Sequence, residues 1–177
     1  VVTLAVLTLM TLGLVILGFR LQHIVLALKE SEEQIRYRAN FDSLTQLPNR
    51  ANFTEHLSEA ITRDRRHEGH TALLFIDLDR FKTINDTLGH DYGDELIQQV
   101  ARRISEATRE TDVVSRLGGD EFTVMLTNVT DEIHASLIAK DILARLAQSY
   151  ILKGHEVYSS DSIGIIMSPA DGCDGNT

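Results

Sequence analysis

The chain opens on a block with no polar rhythm. "VVTLAVLTLMTLGLVILGF" holds 19 residues without one charge, about the length a helix needs to span a bilayer. Residues 1–19 are therefore predicted to form a transmembrane helix. The uncharged run passes straight into Arg20 with no small-residue cleavage site, unlike a signal peptide. Arg20, Lys29, Arg36 and Arg38 cluster on its exit side, which predicts that the domain beyond them is cytoplasmic, beneath the inner membrane of a cell. Over residues 20–40 the apolar positions Leu21, Ile24, Leu28 and Ile35 fall at a- and d-like intervals. They predict a helical connector, either a short parallel coiled coil or one amphipathic helix.

From residue 41 the pattern changes period repeatedly. Phe53, Leu57 and Ile61 recur every four residues, predicting a helix with Pro48 in its first turn. "RDRRHEGH" reads as a polar loop. "TALLFIDLD" is an unbroken apolar run ending in acids, a central strand buried on both faces. "GDELIQQVARRISEAT" puts Leu96, Ile97, Val100, Ala101 and Ile104 on one helical face. "VVSRL" and "FTVML" flank "GGDE" as a hairpin. In "DEIHASLIAKDILARLA", Ile133, Leu137, Ile138, Ile142 and Leu146 are expected to face inward. "EVYSSDSIGIIMS" is a further strand region. Helix, strand, helices, hairpin, helix and strand together predict an α+β layer fold, with helices packed on a mostly antiparallel sheet.

Composition narrows the class. The 177 residues carry a formal charge of −9, which argues against nonspecific nucleic-acid binding. One cysteine, Cys173, excludes an internal disulfide. The chain begins at Val1 and stops in "SPADGCDGNT", so both ends are expected to be cut from something longer.

The acids carry the chemistry. Asp77 ends the apolar strand, and Asp120 and Glu121 occupy the hairpin tip. If the hairpin flanks the strand, these carboxylates converge, and converging anions repel unless a cation lies among them. Oxygen donors alone suit Mg²⁺ or Mn²⁺, and a pair of such ions can clamp a phosphoryl displacement. Gly118 and Gly119 permit positive φ and leave room for a nucleotide. Asp79 is expected to point elsewhere, as a solvated turn residue. Downstream, the carboxylate of Asp94 can accept from guanine N1–H and its exocyclic amine, and the Asn85 amide can both donate and accept on that base. Helix capping is the competing role for both.

"LTQLPNR", "FIDLDRFKTINDTLGHDYGDELI", "RLGGDEF" and "SIGI" resemble the successive motifs of the GGDEF domain family, the diguanylate cyclases, from about Phe41 to the end. The resemblance implies a fold like the catalytic palm of nucleotide cyclases and polymerases over 41–177, with a C-terminal helix missing. It implies condensation of two GTP into cyclic di-GMP (c-di-GMP), with release of pyrophosphate, by a homodimer whose two sites face each other. In this chain Asp77, the Leu78 carbonyl and Asp120 match the ligands of two metal ions, Mg²⁺ or Mn²⁺. Glu121 matches the acid that helps activate the ribose 3′-hydroxyl. Asn85 and Asp94 match the guanine readers, His90 a further substrate contact, and Lys82 a phosphate contact. Arg109 and Asp112, in "RETD", match a product-inhibition site; a charged helix end with a local ion pair is the plainer reading. Gln46 departs from the family, which has Gly there. The alternative function is a silent GTP- or c-di-GMP-binding regulatory module, fused or not to a phosphodiesterase domain.

Overall fold

The computed structural model describes the backbone of residues 2–67 and 70–168, and the side chains of residues 18–64 and 70–168. Two units are distinct, Val1–Ala39 and Asn40–Thr177. The first is the body of one long helix, α1 (Val2–Asn40). It runs unbroken through both the expected span and the expected connector. The side chains of most of the expected span lie outside the described residues. Among the described residues, no helix is long and apolar enough to cross a membrane. Phe19, Leu21, Ile24, Leu28 and Ile35 are exposed on α1.

The second unit is built on α2 (Arg50–His67), β1 (Thr71–Asp79), α3 (Phe81–Leu88), α4 (His90–Ala107), β2 (Val113–Gly118), β3 (Glu121–Leu126), α5 (Glu132–Leu146), β4 (Tyr150–Leu152), β5 (His155–Val157) and β6 (Ser160–Ser168). Four strands form one sheet in the order β2-β3-β1-β6, and β4 pairs with β5 in a separate hairpin. Every described pairing is antiparallel, so the α+β expectation holds.

Strand alternation sorts β1 onto two faces. Ala72, Leu74, Ile76 and Leu78 face a core shared with Leu96, Ile97, Val100 and Ile104 of α4 and Ile142 and Leu146 of α5. Leu73 faces the other way, onto Phe53 and Ala60 of α2 and Met125 of β3. On that second face Phe75 is 38% exposed. The strand is thus covered fully on one side and only partly on the other.

Three local expectations are corrected. Helix α2 starts two residues after Pro48, because the Asn49 Oδ1 accepts from the backbone N–H groups of Ala51 and Asn52 and so caps it. It also continues into the stretch read as a polar loop, to His67. In α5, Ile133 and Leu137 are 71% and 60% exposed, while Ala135 and Ala139 are buried. The buried stripe of α5 runs through Ala135, Ala139, Ile142 and Leu146, and the larger pair lies off it.

Gln46 stands at φ 62, in the left-handed region that glycine occupies without strain. That explains the family's glycine. The turn keeps Gln46 through its backbone N–H to the Asp42 carbonyl at 2.9 Å and its side-chain amide to the Ser43 carbonyl at 2.8 Å.

Candidate active site

The acids meet at one end of the sheet. Asp77 on β1 is the direct antiparallel partner of Glu121 on β3, so the two side chains share a face, with Cβ atoms about 5 Å apart in such a pair. Asp120 immediately precedes Glu121 in the turn. The Asp77 carboxyl is raised above its ordinary value, first by desolvation and then by the charges of Asp120, Glu121 and Asp79. Asp79 therefore joins the cluster and does not point elsewhere: two residues on from Asp77, it lies on the same face. Its Oδ1 accepts from the Ser162 hydroxyl at 3.3 Å.

The charges of Asp120, Glu121 and Asp79 act on Asp77, and a cation near them would lower the energy. The donors are all oxygen, so the residues fit a hard divalent ion. No three acidic, histidine or cysteine side chains among the described residues make a ready metal cage. Mg²⁺ is commonly held by one or two carboxylates with substrate phosphates completing the shell. The Leu78 side chain is 1% exposed, in the core, so only its backbone carbonyl is available to a ligand.

The hairpin tip is set by backbone conformation. Gly118 and Gly119 have φ 142 and 56, and a Cβ on either would meet nothing within 4 Å. Glycine is needed there for its angles, and the space above the tip is open. Arg116, two residues before Gly118, braces the turn. Its Nε and one terminal nitrogen donate to the Gly119 carbonyl at 3.0 and 2.7 Å, and its other terminal nitrogen donates to Asp42 Oδ1 at 2.9 Å. Burial works to raise the Asp42 carboxyl, but bonds from the Thr45 hydroxyl, Arg116 and the Thr45 backbone outweigh it and hold it below its ordinary value. A second cation, Arg50 at the start of α2, lies 3.3 Å from Glu121. Pattern and motif single out none of Asp42, Arg116 and Arg50 as site residues. Their partners lie 74 and 71 positions away, and only the turn residues of "LTQLPNR" and "RLGGDEF" hint that the two segments meet.

Beyond β1 the chain turns sharply through Arg80, which stands at φ 60. Lys82 and Asn85 lie on α3, and His90 and Asp94 near the start of α4. Lys82, His90 and Asp94 are exposed. The Asn85 Oδ1 is buried without a hydrogen-bond partner. It packs against Gly93, where any Cβ would collide with it. Asn85 and Asp94 do not cap the helices they sit in, since neither α3 nor α4 has a side-chain cap. The competing structural role is thereby removed.

Arg109 and Asp112 line a separate open groove of about 450 Å³, bordered also by Phe41, Pro48 and His56. Asp112 forms no described ion pair with Arg109. Its Oδ2 accepts from the Arg109 backbone N–H at 3.0 Å, its Oδ1 from the Thr127 N–H at 3.3 Å. The Arg109 guanidinium lies 3.4 Å from His134 Nε2.

Residues 39–177 match the family described as "Diguanylate cyclase, GGDEF domain". The chain is 43% identical to the diguanylate cyclase TpbB of Pseudomonas aeruginosa over 80% of its own length and 33% of that protein's. It is 38% identical to the bifunctional diguanylate cyclase/cyclic di-GMP phosphodiesterase MucR of the same organism, over 97% of the chain and 25% of MucR. The solved GGDEF domain of TpbB superimposes with a TM-score of 0.72 at 46% identity, covering 75% of this chain and 79% of that one. The coiled coil and GGDEF domain of DgcB from Caulobacter crescentus, in complex with c-di-GMP, superimposes at 0.76 with 25% identity, covering 86% and 82%. The chain thus spans a quarter to a third of these two curated relatives.

Proposed function

Because the chain belongs to the GGDEF domain family, whose homologues include diguanylate cyclases, we propose that it condenses two GTP molecules into c-di-GMP with release of pyrophosphate. The observation that supports this reading most is the register of Asp77 with Glu121, together with the charges of Asp120, Glu121 and Asp79 that act on the Asp77 carboxyl. Asp77, Asp120 and the Leu78 carbonyl would hold two divalent ions. When bound, those ions neutralise triphosphate charge and stabilise the in-line displacement at phosphorus. Glu121 accepts the proton of the ribose 3′-hydroxyl as its oxygen bonds to the α-phosphorus of the second nucleotide and the bond to pyrophosphate breaks. Arg50 holds the Glu121 carboxylate in place for that role. Lys82 meets phosphate oxygens as a point charge. Asn85 and Asp94 read guanine, with His90 as a further contact.

Each protomer offers one such site, so turnover needs a second copy with its site opposed. The reading also puts the first 19 residues in the inner membrane, with the acids on the cytoplasmic side. The uncharged run and the four basic residues after it support that arrangement. Arg109 and Asp112 form the product-inhibition site, in a groove open to a nucleotide. Incubation of the full-length protein with GTP and Mg²⁺, with chromatographic detection of c-di-GMP, tests the activity. A folded dimer that binds GTP and yields no product would reject it in favour of the silent regulatory module.

A further inference from the structure

Asp94 directly succeeds the first turn of α4, and the helix itself does little to secure that turn. Its N-cap is Gly89, at φ 102, with no side-chain cap, and Gly93 closes the same turn. An uncapped, glycine-containing first turn frays readily.

The support comes from outside, from the β4–β5 hairpin. Lys153 Nζ donates to Asp91 Oδ2 at 3.0 Å and lies 5.1 Å from the centre of the Tyr92 ring. The Lys153 backbone N–H donates to Glu95 Oε2 at 3.1 Å. One turn further along α4, the Gln99 amide donates to the Ile151 carbonyl at 2.8 Å. Asp91, Glu95 and Gln99 recur at four-residue intervals and so form one stripe along the helix. On another side of the turn, Gly93 is packed against Asn85. The turn is gripped from two directions, with Asp94 exposed between them.

The residue type at 153 is informative. Lys153 and Gly154 have φ 47 and 86, the two left-handed positions of a tight hairpin turn. Asn, Asp and Gly suit that geometry and lysine does not. The turn alone gives no reason for lysine. The contact of its ammonium with Asp91 and Tyr92 does.

We propose that Lys153 is a positioning residue for guanine recognition: it clamps the first turn of α4 so that Asp94 meets the base in a fixed orientation. This rests on the assignment of Asp94 and Asn85 to guanine. The test compares the full-length protein with its Lys153→Asn variant, which suits the turn and removes the ammonium. Turnover and equilibrium binding are measured with GTP and with ITP, which lacks the exocyclic amine. The variant is expected to raise KM and Kd for GTP by about three- to tenfold, from the loss of an ion pair and a cation–π contact. The loss falls on binding rather than kcat, the preference for GTP over ITP shrinks, and Lys153→Arg restores most of both. Equal loss for the two nucleotides, or a lower melting temperature with the preference intact, overturns the proposal. Wild-type protein that binds GTP no better than ITP defeats the guanine assignment itself, and the proposal with it.

Discussion

Replacing Arg116 by alanine should loosen the turn that presents Asp120, and the cost can be worked from its contacts. The side chain is 11% exposed and that of its partner Asp42 is 21% exposed, so solvent screens the pair only in part. Three hydrogen bonds vanish together, one to Asp42 and two to the Gly119 carbonyl. Bonds involving a charged group contribute about 1.5–3 kcal/mol each when well buried. Two of these share one acceptor, and water reaches the site in the variant, so the loss should be about 2–4 kcal/mol. Asp42→Ala should cost about 2–3 kcal/mol, since the Thr45 N–H and hydroxyl lose their acceptor as well. The double variant isolates a coupling of about 1–2 kcal/mol. Urea unfolding followed by circular dichroism measures all three. The pH dependence has a definite sign. The Asp42 carboxyl is held below its ordinary value, so its stabilisation is complete above the unfolded carboxylate pKa. It is lost as pH falls through the lower folded value. A coupling below about 0.3 kcal/mol at neutral pH, within the usual scatter of additive sites, would refute the bracing of the turn by the Arg116–Asp42 pair.

Three other outcomes are expected. Gln46→Gly should stabilise the domain by about 0.5–1 kcal/mol by relieving the left-handed strain, read as a higher urea midpoint at constant slope. On α5, Ile133→Lys should change stability by less than about 0.5 kcal/mol, whereas Ala139→Leu should cost about 1–3 kcal/mol by overpacking; thermal melts of the two variants decide which face is inward. Gly93→Ala should displace the Asn85 side chain and raise KM for GTP more than it lowers kcat, measured in steady-state turnover.

Much of the fold is legible from period alone. The β1 run, the hairpin around "GGDE" and the α4 stripe each have enough residues for one period to dominate. The β4 and β5 strands have three residues each, too few for alternation to register, so "EVYSSDSIGIIMS", read as one strand region, is the end of β5 followed by β6 in a different sheet. The inward face of α5 is misread for another reason. Size and hydrophobicity favour the Ile133–Leu137 line, while the buried stripe runs through Ala135 and Ala139, and only the neighbouring elements settle which governs. The acids Asp77, Asp120 and Glu121 are legible because they end recognisable elements. Asp42, Arg116 and Arg50 are not, since their meaning arises from contacts across more than 70 positions. Asp79 is misjudged as a turn residue because the strand is expected to end at Asp77, whereas β1 runs two residues further, to Asp79 itself.

For the proposed chemistry to run, Asp77 and Asp120 must grip the same divalent ions beneath a nucleotide triphosphate. Mn²⁺ binding, followed by electron paramagnetic resonance on the full-length protein with a non-hydrolysable GTP analogue, measures this directly. Two ions per protomer are expected in the wild type, with Asp77→Asn and Asp120→Asn each weakening Mn²⁺ binding by about 100-fold while circular dichroism stays native. Wild-type stoichiometry and affinity in both variants would contradict it.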